Sequence, residues 1–240
     1  MNHSITAPGG AVSIAISLVE GEPRFEVDGN SRSVASGRLG IITDHADLSS
    51  GLAWVSVEER EARCTFSLPH GKRRKASAIG NEMTVTFASP DGAQLLVVAR
   101  AFDDGVAFRY QLPEAVRRTL VEEVTTFEFA EPGRAWKQPT DLPDYTRPAY
   151  EAVHANGVPV GLPSPGPSWN LPALFEVAGT WTMLTESDTD GTYFGGHITA
   201  LDSEPGYRWT APQPGEGDGF GEADPVSYTH LRAHETKTRI

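Results

Sequence analysis

The chain has 240 residues with 24 Gly and 18 Pro, and 39% of its residues are hydrophobic, which is typical of a turn-rich globular protein. No window offers the roughly eighteen continuous apolar residues that a membrane span needs, so we expect a soluble protein without a membrane partner. The formal net charge of −12 argues against a nucleic-acid partner, because phosphate binding needs a concentrated positive face.

The first half of the chain predicts antiparallel strands joined by tight turns. Apolar side chains alternate with small or polar ones over residues 12–18, which indicates a half-buried strand. Two more strand-like runs follow in TLVEEVTTFEFA, and no stretch has the periodicity and caps of a helix. The predicted class is therefore all-β, as a large antiparallel sandwich. Turns are predicted at Asp28-Gly29, Pro90-Asp91-Gly92 and Asp104-Gly105.

A single cysteine and a basic run lie among these strands. Cys64 has no partner for an intramolecular disulfide, and in the strand-like RCTFSL we expect it to pack as a small apolar core residue rather than act as a nucleophile. The run HGKRRK, residues 70–75, lies between two strand-like segments. It is therefore interpreted as a solvated hairpin tip in preference to a nucleic-acid or anion site.

A proline-rich segment follows the strands. Eight prolines occur from Pro139 to Pro172, which predicts ordered loops with one edge strand in YEAVHANGVPVGL. Asp141 and Asp144 in TDLPDY are interpreted as capping and turn residues rather than catalysts. Aromatic side chains in such loops can stack on sugar rings, although packing into small local cores is the favoured role. The four aromatic residues concerned are Trp136, Tyr145, Tyr150 and Trp169.

The segment MLTESDTDGTYFGG has carboxylates at alternate positions before a glycine. Glu186, Asp188, Asp190 and Gly191 fill the first places of an EF-hand loop, but His197 occupies the place of its bidentate glutamate. The flanking segments are also β-branched, aromatic and glycine-rich instead of helical. We therefore predict a strand, an Asp-Gly turn and a second strand rather than an EF-hand.

The two ends of the chain lead to separate expectations. The start, MNHSITAPGG, shows no signal peptide, so the chain as written is expected to be cytoplasmic. Residues 214–225 have a flexible, Gly-rich composition. The last fifteen residues hold three of the 20 basic residues and two of the seven His, and they resemble a translated sequencing adapter. We therefore expect a sandwich domain over residues 1–225, incomplete at its C-terminal end, and a non-native tail over 226–240.

Five segments resemble one enzyme family. ARAFDDGVAFRYQLP is similar to the signature strand pair in the N-terminal domain of glycoside hydrolase family 97. Four other segments occur in the order of that family, and together they extend over about residues 10–211. These segments are AVSIAISLVEGEPRFEVDGN, LGIITDHADLSSGL, VEEVTTFEFAEPGRAWKQP and PALFEVAGTWTMLTESDTDGTY.

The resemblance implies a β super-sandwich of the galactose-mutarotase type, followed in family members by a (β/α)8 barrel and a small β domain. Members hydrolyse α-linked glucosides or galactosides with calcium in the active site, and they are often periplasmic or secreted. Barrel glutamates hold most of the metal's coordination, and one glutamate comes from the sandwich. The matching position here is Glu186. The sequence departs from many members by continuing as SDTDGTY, where they have apolar residues and a Tyr-Pro pair.

The resemblance favours one function and leaves a second open. The favoured one is the sandwich of a calcium-dependent α-glycoside hydrolase, which supports a barrel domain that binds the carbohydrate substrate and contributes Glu186 to the calcium. The alternative is a stand-alone carbohydrate-binding or structural sandwich without catalysis. The two carboxyl groups of glycosidase chemistry lie on the family's barrel, so no catalytic residue is assigned here. We expect this chain alone to hydrolyse neither aryl α-glucosides nor α-galactosides.

Mutarotases of the same sandwich type suggest one more arrangement. They use a histidine as the acid and a glutamate as the base. In this chain His45, His154 or His197 would have to combine with Glu151 or Glu186, but their spacing does not match, and the arrangement is not favoured.

Overall fold

The described part of the chain consists of strands, turns and loops and includes no helix, which confirms the predicted all-β class. It therefore contains no helix that could cross a membrane. The flexible stretch and the tail predicted beyond residue 213 lie outside it. The computed structural model describes residues 1–70, 72, 74–113, 118–140, 152–187, 195–202 and 205–211.

Eighteen strands occur in these ranges. In chain order they are β1 (Asn2–Thr6), β2 (Val12–Val19), β3 (Glu22–Gly29), β4 (Arg32–Arg38), β5 (Ile41–Thr43), β6 (Asp47–Leu48), β7 (Ala53–Ser67), β8 (Lys75–Ala88), β9 (Gln94–Phe102), β10 (Gly105–Gln111), β11 (Leu120–Glu123), β12 (Thr126–Glu128), β13 (Gly133–Lys137), β14 (Ala155–Pro159), β15 (Ala173–Val177), β16 (Thr180–Leu184), β17 (His197–Ala200) and β18 (Gly206–Thr210).

The strands form four sheets in which the paired strands are antiparallel. The largest sheet has seven strands in the order β1-β2-β3-β4-β12-β18-β17. Two four-stranded sheets have the orders β10-β9-β8-β7 and β14-β13-β15-β16, and a three-stranded sheet has the order β11-β5-β6. The edge position of β14 confirms the edge strand predicted in the proline-rich segment, since an edge tolerates its proline.

The first hydrophobic core lies between the β1–β3 end of the seven-stranded sheet and the sheet β10-β9-β8-β7. Ile14 and Ile16 of β2 are fully buried in it, which confirms the alternation predicted for residues 12–18. Val85 of β8 and Val97 of β9 are equally inaccessible and belong to the same cluster. Each buried aliphatic side chain of this size contributes about 1.5–3 kcal/mol to folding.

The second core lies between the β17–β18 end of the same large sheet and the sheet β14-β13-β15-β16. The ring of Phe175 is 4.8 Å from that of Phe129 and 5.6 Å from that of Tyr207, measured between centroids. Trp169 is only 1% exposed and pairs through its backbone with Ile198 of β17. One wide sheet therefore serves two cores, which confirms the predicted large antiparallel sandwich.

The turn between β3 and β4 lies two residues later than predicted. Asn30 and Ser31 form it, with φ values of 51° and 63°, while Gly29 pairs with Arg32 across the hairpin. Positive φ at both central positions defines a type I′ turn, whose twist matches that of the flanking strands. Asparagine adopts this conformation more readily than most residues. The Asp28-Gly29 pair therefore belongs to the end of β3.

The other two predicted turns are found at or next to their expected places. The turn between β8 and β9 is closed by a hydrogen bond of 2.9 Å from the Gly92 N–H to the Ser89 carbonyl. The turn between β9 and β10 begins one residue early, because Gly105 already pairs with Phe102. The predicted hairpins themselves are confirmed.

The longest hairpin, β7–β8, contains both the basic run and the cysteine. A hydrogen bond of 2.9 Å from the Leu68 N–H to the Arg74 carbonyl confirms that the basic run connects the two strands as a hairpin tip. Cys64 lies on β7 as predicted, but it is only half-buried, and the expectation that it packs in the core is wrong. The reason is that β7 is an edge strand on which Ala62 alone is buried. The sulfur of Cys64 lies 3.9 Å from Arg100 Nη1.

Lys137 is a fully buried cation inside the second core. Its Nζ lies 4.1 Å from the ring centroid of Trp169 and 4.2 Å from that of Tyr207. It donates hydrogen bonds to the Tyr207 hydroxyl and, at 3.1 Å, to the Leu162 carbonyl. The ring faces and the two oxygens compensate for part of the lost hydration. Burial nevertheless lowers the pKa of Lys137 to about 7.

The lowered pKa predicts a pH dependence of stability that Lys137→Met should remove. An unfolded lysine has a pKa of about 10.4, so between pH 7 and pH 9 the unfolded chain binds more protons than the folded one. The free energy of unfolding of the natural chain should therefore rise with pH, by at most about 1.4 kcal/mol per unit from this group. Urea unfolding at pH 7, 8 and 9 should show a smaller slope for the variant. Equal slopes would contradict the lowered pKa.

Candidate functional site

Glu186 follows β16 and lies where the chain leaves one sheet for another. Its Oε2 accepts a hydrogen bond of 2.9 Å from the backbone N–H of Gly196. Its Oε1 accepts one of 3.1 Å from the indole Nε1–H of Trp209. Each carboxylate oxygen is thus held by a donor on a separate segment, and the carboxylate has one defined orientation.

The contact between Gly196 and Trp209 explains how this orientation is maintained. A Cβ atom at Gly196 would lie 2.2 Å from Cε2 and 2.3 Å from Nε1 of the indole, so only glycine allows the ring to approach this closely. Trp209 is 8% exposed, and its backbone N–H donates to the Thr125 carbonyl at 2.9 Å. The indole that holds Glu186 is therefore fixed by packing and by its own strand.

A second carboxylate, Glu123, ends a chain of hydrogen bonds beside this site. The Gly40 N–H donates to the Tyr110 hydroxyl at 2.9 Å, and the Thr125 hydroxyl donates to Glu123 Oε1 at 2.6 Å. The Tyr110 and Thr125 hydroxyl oxygens are 2.6 Å apart. Because the Thr125 proton points to Glu123, Tyr110 donates to Thr125, and every bond runs in one direction. Burial raises the pKa of Tyr110, so this hydroxyl stays a donor.

The two carboxylates influence each other. Burial raises the pKa of Glu123 to about 7, the hydrogen bond from Thr125 opposes this rise, and the negative charge of Glu186 adds to it. Like-charge repulsion of this kind is relieved by a cation nearby. Sequence reasoning missed Glu123, because nothing in VEEV separates a half-buried, hydrogen-bonded glutamate from an exposed one.

The hairpin predicted around Glu186 is wrong. β16 pairs with β15 in one sheet, whereas β17 pairs with β18 in another, so the two strands do not pair with each other. The predicted turn at Asp190-Gly191 lies outside the described residues. Local alternation shows that two strands exist and does not reveal their partners. Asp188 and Asp190 lie outside the described residues. Within the described ranges, no three His, Cys, Asp or Glu side chains are grouped as a metal site.

The histidines weighed as mutarotase-like acids do not form a common site with Glu186. His45 is exposed between β5 and β6, and His154 is exposed just before β14, which belongs to a different sheet. His197 begins β17 and is half-buried, next to the glycine that binds Glu186. Glu151 lies outside the described residues, as do Asp141 and Asp144.

The aromatic residues of the proline-rich region have different surroundings. Trp169 is buried, and its indole N–H donates to the Leu162 carbonyl at 3.1 Å, which confirms the packing interpretation. Trp136 is half-buried on β13, with its ring centroid 4.8 Å from that of Trp181. Trp181 is 60% exposed and is not among the aromatic residues predicted from the sequence. The alternation of Trp181 and Met183 with threonines in TWTML indicates a strand with both apolar side chains on one face. Tyr145 and Tyr150 lie outside the described residues.

Comparison with known proteins identifies similar sequences. The sequence model described as "Glycosyl-hydrolase 97 N-terminal" matches residues 5–218. A probable retaining alpha-galactosidase of Streptomyces bingchenggensis (strain BCW-1) is 32% identical over 170 residues, which are 71% of this chain and 25% of the relative.

Solved structures share the fold. The crystal structure of a beta-arabinopyranosidase superposes with a TM-score of 0.81 at 23% identity and covers 88% of this chain and 35% of its own. A glycoside hydrolase family 97 enzyme from Pseudoalteromonas sp. strain K8, in complex with panose, superposes with a TM-score of 0.69 at 22% identity. The match covers 88% of this chain and 32% of that enzyme's chain. The chain thus spans between a quarter and about a third of the length of these relatives.

The contact between Gly196 and Trp209 predicts different effects for two neighbouring substitutions. Gly196→Ala should cost about 1–3 kcal/mol in the free energy of unfolding, because the added methyl overlaps the indole. Gly195→Ala is the matched control, since its Cβ would lie 3.8 Å from Glu186 Oε2, an ordinary contact. Its effect should stay within about 1 kcal/mol. Urea unfolding measures both, and similar losses would contradict the close approach.

Proposed function

Because the chain belongs to the glycosyl hydrolase 97 N-terminal family, we propose that it is the β-sandwich of an α-glycoside hydrolase and contributes Glu186 to a calcium site shared with a catalytic domain. The observation that carries this proposal is the fixed carboxylate of Glu186, held by Trp209 and Gly196. The substrate class proposed is an α-galactoside or α-glucoside. The alpha-galactosidase relative and the panose complex of a similar enzyme support it.

The carboxylate of Glu186 is suited to act as one ligand of a calcium ion. An ionised carboxylate offers about four lone-pair directions, so the two N–H donors leave Glu186 able to bind a cation. Ligating carboxylates are commonly oriented by hydrogen bonds of this kind. Calcium takes about six to eight oxygen ligands, and one carboxylate cannot supply them. We therefore propose that the other ligands come from the catalytic domain and the substrate.

The division of roles follows from the surroundings of Glu186. When bound, calcium would orient a substrate hydroxyl and stabilise negative charge. Trp209 and Gly196 keep the carboxylate in place before any cation arrives, which lowers the ordering cost of binding. Glu123 lies close enough to Glu186 for their charges to interact, so it adds negative potential near the proposed cation.

Calcium titration tests this proposal in two proteins. In the isolated chain, calcium should not raise the melting temperature, because a single carboxylate binds it weakly. A chimera is made from the Streptomyces relative by replacing its own N-terminal sandwich with residues 5–211 of this chain. Calcium should raise the melting temperature of this chimera. Glu186→Gln should weaken calcium binding by the chimera about tenfold or more, measured by calorimetry independently of turnover.

The matched control is Glu26→Gln, an exposed glutamate on β3. It should leave calcium affinity unchanged. If the two glutamine variants of the chimera bind calcium equally well, Glu186 is not a ligand. If calcium stabilises the isolated chain, further ligands lie within the chain and the shared site is wrong.

A further inference from the structure

The outer face of the sheet β14-β13-β15-β16 carries an aromatic pair, the exposed Trp181 and the half-buried Trp136, beside charged side chains. Trp181 of β16 is 60% exposed and pairs in register with Glu176 of β15, which in turn pairs with Arg134 of β13. Ala135 and Phe175, on the opposite face of this sheet, are fully buried in the second core. The row therefore points away from the core.

The ring of Trp181 contacts that of Trp136 and remains 60% exposed. The rings of Trp136 and Trp181 are 4.8 Å apart between centroids with planes inclined by 36°, so Trp136 supports Trp181 from one side. Gly157, with φ of +65°, lies next to the ring of Trp136. A Cβ atom at this position would lie 3.7 Å from Cζ2 of Trp136, so a residue with a side chain would cover part of that ring. An aromatic ring held in this way loses little conformational freedom when a ligand stacks on it.

The charged register neighbours of Trp181 supply hydrogen-bonding groups beside the exposed ring. Glu176 Oε1 accepts a bond of 3.2 Å from the Gly179 N–H, which orients the carboxylate and leaves Oε2 for a ligand. Arg134 is exposed and offers guanidinium donors. A sugar ring presents C–H groups on one face and hydroxyls around its edge, which matches an aromatic face flanked by an acceptor and a donor.

We propose that Trp181, Trp136, Glu176 and Arg134 form a binding site for a neutral oligosaccharide, termed the Trp181 face. Its choice of α-linked glucosyl or galactosyl units rests on the proposed function. It shares no residue with the Glu186 site, whose carboxylate contacts Trp209.

A protein partner fits this face less well than a sugar. Burying Glu176 and Arg134 under a protein surface would desolvate two charges, which is costly unless each finds a new partner. A second copy of the chain would also bring together two molecules of net charge −12. A small sugar leaves both charged groups partly in water, so it gains the stacking contact without that cost.

Titration of the full chain with panose and with raffinose, an α-galactosyl trisaccharide, tests the proposal. At least one of them should quench tryptophan fluorescence and show saturation transfer to its ring C–H protons in NMR. Trp181→Ala should weaken that binding about tenfold, as expected for the loss of a stacking contact, and Glu176→Gln should weaken it less. Met183→Ala is the matched control, since Met183 is 62% exposed on the same face. It should bind within about twofold of the natural chain.

Each other outcome contradicts the proposal. Failure of the natural chain to bind either sugar, or equal affinities of the Trp181 and Met183 variants, would overturn it. Sedimentation that shows a dimer lost only in Trp181→Ala, without sugar binding, would assign the face to a second copy instead. Sugar binding here should be unaffected by Glu186→Gln or by chelation of calcium. A failed calcium site and a failed Trp181 face can therefore be told apart.

Discussion

The width of the seven-stranded sheet is the constraint on which the rest of the fold depends. A four-stranded sheet is too narrow to pack against all seven strands of this sheet. The apolar side chains at its two ends therefore pack against two different four-stranded sheets. Ile14 packs in the cluster shared with β8 and β9, whereas Ile198 packs in the cluster shared with β13 and β15. The chain must therefore cross between sheets more than once. Trp169 and Glu186 both lie at such crossings, where side chains from several strands converge.

Hydrogen bonds from partly or fully buried polar groups fix the positions of the segments that connect the sheets. Lys137 joins the Leu162 segment to Tyr207 through the middle of a hydrophobic cluster. The chain of bonds from Gly40 to Glu123 joins the connection after β4 to the strand beside Glu186. Enclosed charges of this kind contribute little net stability, but an arrangement that left them unpaired would be strongly disfavoured. They therefore select one packing among several that bury similar apolar area.

The sequence predicts the strands well and their long-range partners poorly. Period-two alternation located β2, and turn residues located the hairpins, because both signals act between neighbours in the chain. Asn30-Ser31 forms the turn in place of Asp28-Gly29, because the local sequence does not fix which of two adjacent turn-forming pairs closes the hairpin. The crossing after β16 and the edge position of Cys64 depend on which strands pair across the sheets.

Several features of the candidate site depend on contacts that have no local signature. Trp209 approaches Gly196 because β17 and β18 are paired neighbours in the sheet. The need for a glycine at position 196 comes from the indole, which a Cβ atom there would overlap, and the local sequence does not show this contact. Only the family resemblance distinguishes Glu186 from the carboxylates that follow it in the sequence. The half-buried position of Glu123 depends on contacts with Thr125 and, through it, with Tyr110, which is distant in the sequence.

The long edge strand β7 has a consequence for how chains behave at high concentration. Fifteen residues of extended backbone at a sheet edge form a template on which another chain could add a strand. Most side chains of β7 are exposed, and the run EEREAR places five charged groups of both signs along it. A neighbouring molecule would have to strip water from these charges to pair with the edge. The charged side chains of β7 therefore oppose the addition of a strand from another chain at this edge.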